Sequence, residues 1–307
     1  MKGCILTDEP CIPNILFCNH PLSPTDVNED YEQEYNACEG LHKALYSYED
    51  LVDKKLSLYG EKISGVTIYR GWMLKPEQYR FLYGQLKEHG IILINSPEEY
   101  EKYHLFPGWY KDYHADTAES VWMEGTYDVE GLLLKAHDLG KSAVVKDYVK
   151  SRKHEWYETC FIENLRDTKM AEKVIRTFID RQGEDLVGGV VLRRFMKLKS
   201  IGYHEISGIP ISEEYRVFIY AGTILEVDDY WNSVRNLSLS EEDIEWIRSR
   251  IHMIRSSFVT MDLARKRDSY LMIVELDDGQ VSGLQNIDPT QFYGSLLGAS
   301  SRSMELP

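Results

Sequence analysis

Near the C-terminus two apolar runs, residues 258–263 and 270–276, flank a polar segment, RKRDS, of hairpin-loop length. Both runs are rich in β-branched and aromatic side chains, as antiparallel strands require, yet each carries one acid, Asp262 and Glu275. If these acids lie opposite each other, the pairs 263/274 and 264/273 follow, and directly opposed residues place their Cβ atoms roughly 4.5–5.5 Å apart. Two like charges at about 4 Å repel by on the order of 4 kcal/mol at an effective dielectric near 20. The pair therefore calls for a proton, an arginine or a metal between the acids, and a hard divalent cation suits oxygen ligands. A solvated edge hairpin with both acids in water is the competing reading.

Upstream, the pattern divides the chain. NILFCN, VTIYRGWML and IILIN read as strands, and KPEQYRFLYGQLKEHG has apolar residues near helical spacing. This alternation over residues 1–112 predicts a small α/β domain with a mainly parallel sheet. FPGWYKDYHADTAESVW, rich in Pro, Gly and aromatics, is the candidate boundary. Beyond it, YDVEGLLLKAHDLG and KMAEKVIRTFIDRQG predict helices, SAVVKDYV and VGGVVLRRFMKL strands, and PISEEYRVFIYAGTILEVDDYW a hairpin turning at Ala221 and Gly222. A helix from Ser240 through Ile254 precedes the acid-bearing hairpin. Residues 113–298 are thus expected to be α+β, and ASSRSMELP, residues 299–307, a frayed tail.

Composition narrows the partners. The 43% apolar content fits a folded domain, no run approaches a membrane span, and the Asp, Glu and prolines of MKGCILTDEPCIPN argue against a signal peptide. A cytoplasmic location is the expectation, with homodimerisation left open. A net charge of −15 disfavours wrapping by nucleic acid. Five cysteines, with no CxxC pair, read as reduced structural thiols.

An acidic chain must meet an anionic ligand with a few placed cations. Lys146 interrupts the apolar strand AVVKDYV and either snorkels to the sheet end or meets an anion. Arg193 and Arg194 face opposite sides of their strand, so at least one approaches the interior or a cleft. Arg216 shares a face with Glu214 and could simply pair with it. Together with the paired acids they form an inventory able to hold a polyphosphate and its metal. Neither GxxxxGK[ST] nor GxGxxG is present, and the HRD and DFG kinase signatures are missing.

With these elements in this order, AVVKDYV, VVLRRFMKL and VTMDLARKRDSYLMIVELDDG resemble the ATP-grasp superfamily across most of the chain. The thirteen-residue separation of Asp262 from Glu275 is the most specific element. YRGWMLKPEQY, LINSPEEY, AVVKDYVKSRKHEW and EEYRVFIYAG are similar to an arginine-rich ATP-grasp clade of bacteria and phages. The resemblance implies an α+β ATP-grasp domain of two subdomains over residues 113–298, behind an N-terminal α/β pre-ATP-grasp domain. It implies ATP bound between the subdomains with Mg²⁺ held by Asp262, Glu275 and Asp277. Lys146 would contact phosphate, Lys153 or His154 would cover the phosphates, and the strand carrying Arg193, Arg194, Phe195 and Met196 would supply the adenine hinge, with Glu214 also at the nucleotide. Arg216 would offset phosphoryl charge and Arg70 would receive the acceptor carboxylate, a surface ion pair being the rival reading of Arg70. The usual Glu-x-Asn is here Glu275-Leu276-Asp277, and the basic KSRKHEW replaces a glycine-rich loop. The implied activity is ATP-dependent ligation of a small carboxylate to an amine, amino acid or peptide, through an acylphosphate. The alternatives are a nucleotide-binding regulator or scaffold without turnover and a structural protein that has lost ATP.

Overall fold

The computed structural model describes residues 12–124, 128–203, 210–231 and 237–302. The chain begins with β1 (Asn14–His20), β2 (Ser23–Val27), α1 (Glu32–Ala37), β3 (Lys43–Tyr46), α2 (Tyr48–Val52), β4 (Leu58–Gly60) and β5 (Gly65–Arg70). It continues through α3 (Pro76–Glu88), β6 (Ile91–Leu93), α4 (Pro97–His104) and α5 (Phe106–Tyr113). These strands form one sheet in the order β4-β3-β1-β5-β6, with β2 folded back on β1. The β1–β3, β1–β5 and β5–β6 pairs are parallel, as the alternating pattern predicts. Helices α3 and α4 start at prolines; Ser96 and Glu99 form a reciprocal capping box at α4, and at α3 the Gln78 side chain accepts from the Lys75 backbone N–H.

The second part opens with β7 (Ser120–Glu124), α6 (Val129–Lys135), β8 (Ala143–Lys146), β9 (Phe161–Ile162), α7 (Thr168–Gln182) and β10 (Gly189–Arg194). Its sheet runs β7-β10-β8-β9 and packs on α6 and α7 through Leu132, Ile175 and Phe178. Next come β11 (Ser200–Tyr203), β12 (Pro210–Ser212), β13 (Glu214–Tyr220), β14 (Thr223–Asp229), α8 (Glu241–Ile251), β15 (Phe258–Arg265), β16 (Leu271–Asp278) and α9 (Pro289–Arg302). A final antiparallel sheet has the order β14-β13-β15-β16. The β13–β14 turn falls at Ala221 and Gly222, both with positive φ (47° and 76°), the geometry of a tight hairpin turn.

Alternation along β13 and β15 splits this last sheet. Val217, Ile219, Val259 and Met261 pack against Phe106, Trp109 and Tyr113 of α5 and Ile247 of α8. Phe218, Tyr220 and Phe258 on the other face meet Phe292 of α9 and Ile15 and Phe17 of the N-terminal sheet. Both parts of the chain therefore share cores. The expected boundary segment is not loose: its first half is α5, whose aromatics are buried. Pro, Gly and aromatic richness suggests a linker in sequence, but Pro107 sits at the helix start, where its missing N–H costs nothing.

The expected tail also needs correction. Helix α9 continues through Arg302, and the Oγ of buried Ser300 donates to the Leu296 carbonyl; of the expected tail, residues 303–307 lie outside the described residues. Cys18, Cys38 and Cys160 are buried free thiols, while Cys4 and Cys11 lie outside the described residues. No described helix is long and apolar enough to cross a membrane.

Arg265 anchors the hairpin end, pairing with Glu213 and with Asp243 of α8 (Nη2 to Oδ2, 2.8 Å). Burial pushes the Glu213 carboxyl up, but Lys199, Arg265 and the Tyr215 hydroxyl outweigh it and hold it below the ordinary range. The stabilisation is present above the unfolded-state pKa of about 4.3 and is lost as pH falls through the lower folded value. Glu213→Gln should flatten the acid limb of a urea-stability profile measured from pH 6 to pH 3, and an unchanged limb would contradict this assignment.

Candidate active site

The acids of the C-terminal hairpin do face each other, Asp262 pairing with Glu275. Past that pair the expected register fails. Leu263 lies opposite Ile273 and Ala264 opposite Met272, so Val274 is the extra residue of a bulge. The bulge frees backbone groups for partners outside the ladder. Ile273 N–H donates to the Asp116 carbonyl (2.9 Å), the Ile273 carbonyl accepts from Thr117 Oγ1 (2.7 Å), and the Val274 carbonyl accepts from Arg193 Nη1 (2.6 Å). The bulge thus docks the hairpin against the segment leading into β7 and against β10.

Charge compensation of the acids comes from arginine and lysine. Arg216, opposite Asp262 on β13, binds it in a two-point fork, Nε to Oδ1 at 2.8 Å and Nη2 to Oδ2 at 2.6 Å. Its Nη1 donates to the Gly283 carbonyl at 2.9 Å, and its guanidinium lies 5.2 Å from the Tyr230 ring centroid. Arg216 pairs with this cross-strand acid, not with Glu214 on its own strand. Lys146 reaches across from the β7–β10–β8–β9 sheet and pairs with Glu275. Phe106 of α5 underlies both cations on that side, its ring centroid 5.8 Å from Lys146 Nζ and 5.6 Å from the Arg193 guanidinium.

Local fields follow from this arrangement. Burial raises the Glu275 carboxyl, but Lys146 wins and holds it below the ordinary range. For Asp262 burial prevails over Arg216 and the carboxyl is raised. Burial lowers the Arg193 guanidinium despite Glu275. Desolvation opposes charge on Lys153, yet Glu214, Tyr230, Glu275 and Asp262 outweigh it and raise its pKa. Glu214 is raised by burial, with Lys153 opposing. Lys153, in the turn after β8, therefore lies within the same field as both acids.

The structure brings Lys146, Lys153, Arg193, Glu214, Arg216, Asp262 and Glu275 together, and leaves other expected residues elsewhere. Arg194 points away from this group, pairing with Glu119 at 2.5 Å and donating to the Leu139 carbonyl at 2.6 Å. Phe195 meets Phe161 edge to face, centroids 4.9 Å apart and planes at 68°, and Met196 packs beside Ala118, Ala264 and Met272. His154 faces Glu155, 3.4 Å away. Asp277, by contrast, lies two residues along β16 from Glu275, close enough for its charge to raise Arg216, and accepts from His104 at 2.7 Å. No described group of three His, Cys, Asp or Glu side chains forms a ready-made metal cage.

Arg70 is the clear correction. It is 1% exposed, so neither a substrate clamp nor a surface pair describes it. Its Nε and Nη2 grip Glu34 of α1 at 2.9 and 2.8 Å, and Nη1 is directed at the carbonyls of Gly279, Gln280 and Ser282. Tyr293 of α9 donates to the same Glu34 carboxylate at 2.7 Å. With its donors engaged, the guanidinium ties the N-terminal sheet to the segment after β16.

Sequence reasoning missed His104, Thr117, Phe106 and the Gly283 carbonyl. Nothing in EEYEKYHLF distinguishes His104 from an ordinary helix-end histidine, and a backbone carbonyl leaves no trace in sequence.

A crystal structure of a RimK domain ATP-grasp protein from Sphaerobacter thermophilus superimposes with a TM-score of 0.61 at 11% identity, over 93% of this chain and 98% of that one. D-alanyl-alanine synthetase A from Vibrio cholerae gives a TM-score of 0.57 at 13% identity, over 95% and 98%. The ATP-grasp ligase PsnB, complexed with minimal precursor, Mg and ADP, gives 0.57 at 11% identity, over 94% and 98%. These likenesses establish the fold as ATP-grasp, with mixed helices and sheets. No curated protein matches the chain. The profile of an ATP-grasp domain family matches residues 138–296, just over half of the chain and the part that carries Lys146, Arg216, Asp262 and Glu275. The chain belongs to the ATP-grasp domain family, R2K clade family 3.

Proposed function

We propose that the protein is an ATP-dependent ligase joining a small carboxylate to an amine. The observation that carries this reading is the Lys146–Glu275 pair bridging two sheets beside the Arg216–Asp262 pair. Four charges in otherwise apolar strands are costly to bury, and they converge at a junction between two sheets where a nucleotide would be enclosed on two sides. The solved structures named above include a ligase with Mg and ADP and a D-alanyl-alanine synthetase, which supports this chemistry for the fold.

Donor chemistry fits Mg²⁺. This cation takes oxygen ligands and usually binds through one or two carboxylates plus substrate phosphates, so no preformed cage of three acids is required. Asp262 and Glu275 are the residues that would hold it, with Asp277 beside them on β16; the cation would neutralise phosphate charge. In the reaction a carboxylate oxygen would attack the γ-phosphorus and release ADP, and an amine would then displace phosphate from the acylphosphate to leave an amide. Lys146 and Arg216 would offset the charge spread over the phosphoryl oxygens, and Lys153 and Arg193 would extend that positive wall. On this reading residues 1–112 form a pre-ATP-grasp domain and residues 113–298 the grasp domain.

The test is ADP release by the full chain with ATP, Mg²⁺ and a mixed pool of amino acids and short peptides. A ligase gives release that needs both a carboxylate and an amine and leaves an amide of matching mass. Nucleotide binding without pool-dependent release would select the alternative, a regulator or scaffold of the same fold.

A further inference from the structure

We infer that His104 is a positioning residue for Asp277, an assignment that rests on the nucleotide-site reading above. His104 closes α4, in the N-terminal part of the chain, and is 4% exposed. Its ring lies against Tyr100, centroids 4.8 Å apart, and Tyr100 in turn stacks on Tyr79 at 4.0 Å and 5°. The imidazole is thus fixed from below by a rigid aromatic column, and its Nδ1 stands 2.7 Å from Asp277 Oδ1. A carboxylate oxygen accepts, so Nδ1 must carry the proton. The same Oδ1 also accepts the Asp278 N–H at 2.7 Å.

Two donors converging on one oxygen fix the rotation of the carboxylate and direct Oδ2 by default. Asp277 also acts on the cationic centre, since its charge contributes to raising Arg216. A side chain with one oxygen saturated and the other committed in direction presents a single oriented oxygen, which is what a metal ligand of fixed geometry needs. Partners that orient a ligand in this way typically matter by 10–100-fold in metal affinity. His104 would therefore act on the metal-dependent part of nucleotide binding, through Asp277 and without touching the nucleotide.

The experiment is isothermal titration of ATP into the full chain, with Mg²⁺ and with EDTA, for wild type, His104→Ala, His104→Asn, Asp277→Asn and the His104→Ala/Asp277→Asn double variant. His104→Ala should weaken ATP binding about tenfold or more with Mg²⁺ and leave binding in EDTA unchanged, at a melting temperature followed in parallel. His104→Asn, whose Nδ2 occupies the same branch as the imidazole Nδ1, should restore most of the affinity. In the Asp277→Asn background the alanine change should lose most of its effect, because the two residues act as one unit. ¹⁵N-imidazole spectra of the free protein should show Nδ1 protonated. Equal losses with and without Mg²⁺, additive effects in the double variant, or an Nδ1 without its proton would each overturn the assignment. Absence of any ATP binding by wild type would instead remove the nucleotide-site reading, and this inference with it.

Discussion

Arg70→Ala should destabilise the protein by about 3–5 kcal/mol, the cost of removing one partner from a buried ion pair. The change strands Glu34, whose side chain is 10% exposed, and leaves the carbonyls of Gly279, Gln280 and Ser282 without their donor. Against a total stability of roughly 5–15 kcal/mol for a domain, this loss is large. Removing both partners, as in Arg70→Met/Glu34→Leu, should recover much of it, because an apolar pair needs no compensation. Urea unfolding of the single and double variants decides the matter. A loss below about 1 kcal/mol, the range of exposed pairs, would show that the clamp is not a structural element.

The second large effect is expected at Lys146. Lys146→Ala should weaken ATP binding about 10- to 100-fold, the worth of a charge-assisted hydrogen bond of roughly 1.5–3 kcal/mol. The variant will not leave the fold untouched, since Glu275 loses its partner. An unsatisfied buried polar group costs about 1–3 kcal/mol, and the lower end applies because the Glu275 side chain is 32% exposed. Lys146→Ala/Glu275→Gln separates the two roles. Its stability should return close to that of wild type while nucleotide affinity stays low. Restored binding in the double variant would make Lys146 a structural residue only.

Much of this arrangement was legible because it repeats local rules. The β15–β16 hairpin followed from two apolar runs and a polar loop, and the opposition of Asp262 to Glu275 from period-two alternation. Parallel strands β1, β5 and β6 announced themselves as apolar runs separated by a helix of clear periodicity. The four-residue strand β3 is too short to show a period. Where the reading failed, a tertiary partner decided. The Val274 bulge answers to Asp116, Thr117 and Arg193, none of them nearby in sequence. Helix α5 looked like a linker because its Pro and Gly carry helix-breaking signals that its burial against the β13–β15 sheet overrides.

Charge told a similar story. An apolar strand holding one cation or one acid signals that a compensating group exists, and that signal was correct for Lys146, Arg193, Arg216, Asp262 and Glu275. The identity of the compensating group is set by distance in space. Two acids opposite each other suggested a metal, whereas Arg216 and Lys146 already compensate them here. Arg70 in YRGWML looked like a substrate contact for the same reason: the sequence shows a charge at a strand end but not Glu34 beside it.

On the proposed reading the junction between the two sheets binds Mg²⁺·ATP through these paired charges. Isothermal titration of Mg²⁺·ATP into the wild-type chain and into Lys146→Ala/Glu275→Gln tests it most directly. One saturable site is expected in wild type, and in the double variant an affinity at least tenfold lower at near-wild-type stability. No saturable binding by wild type, or equal affinity in the two proteins, would contradict it.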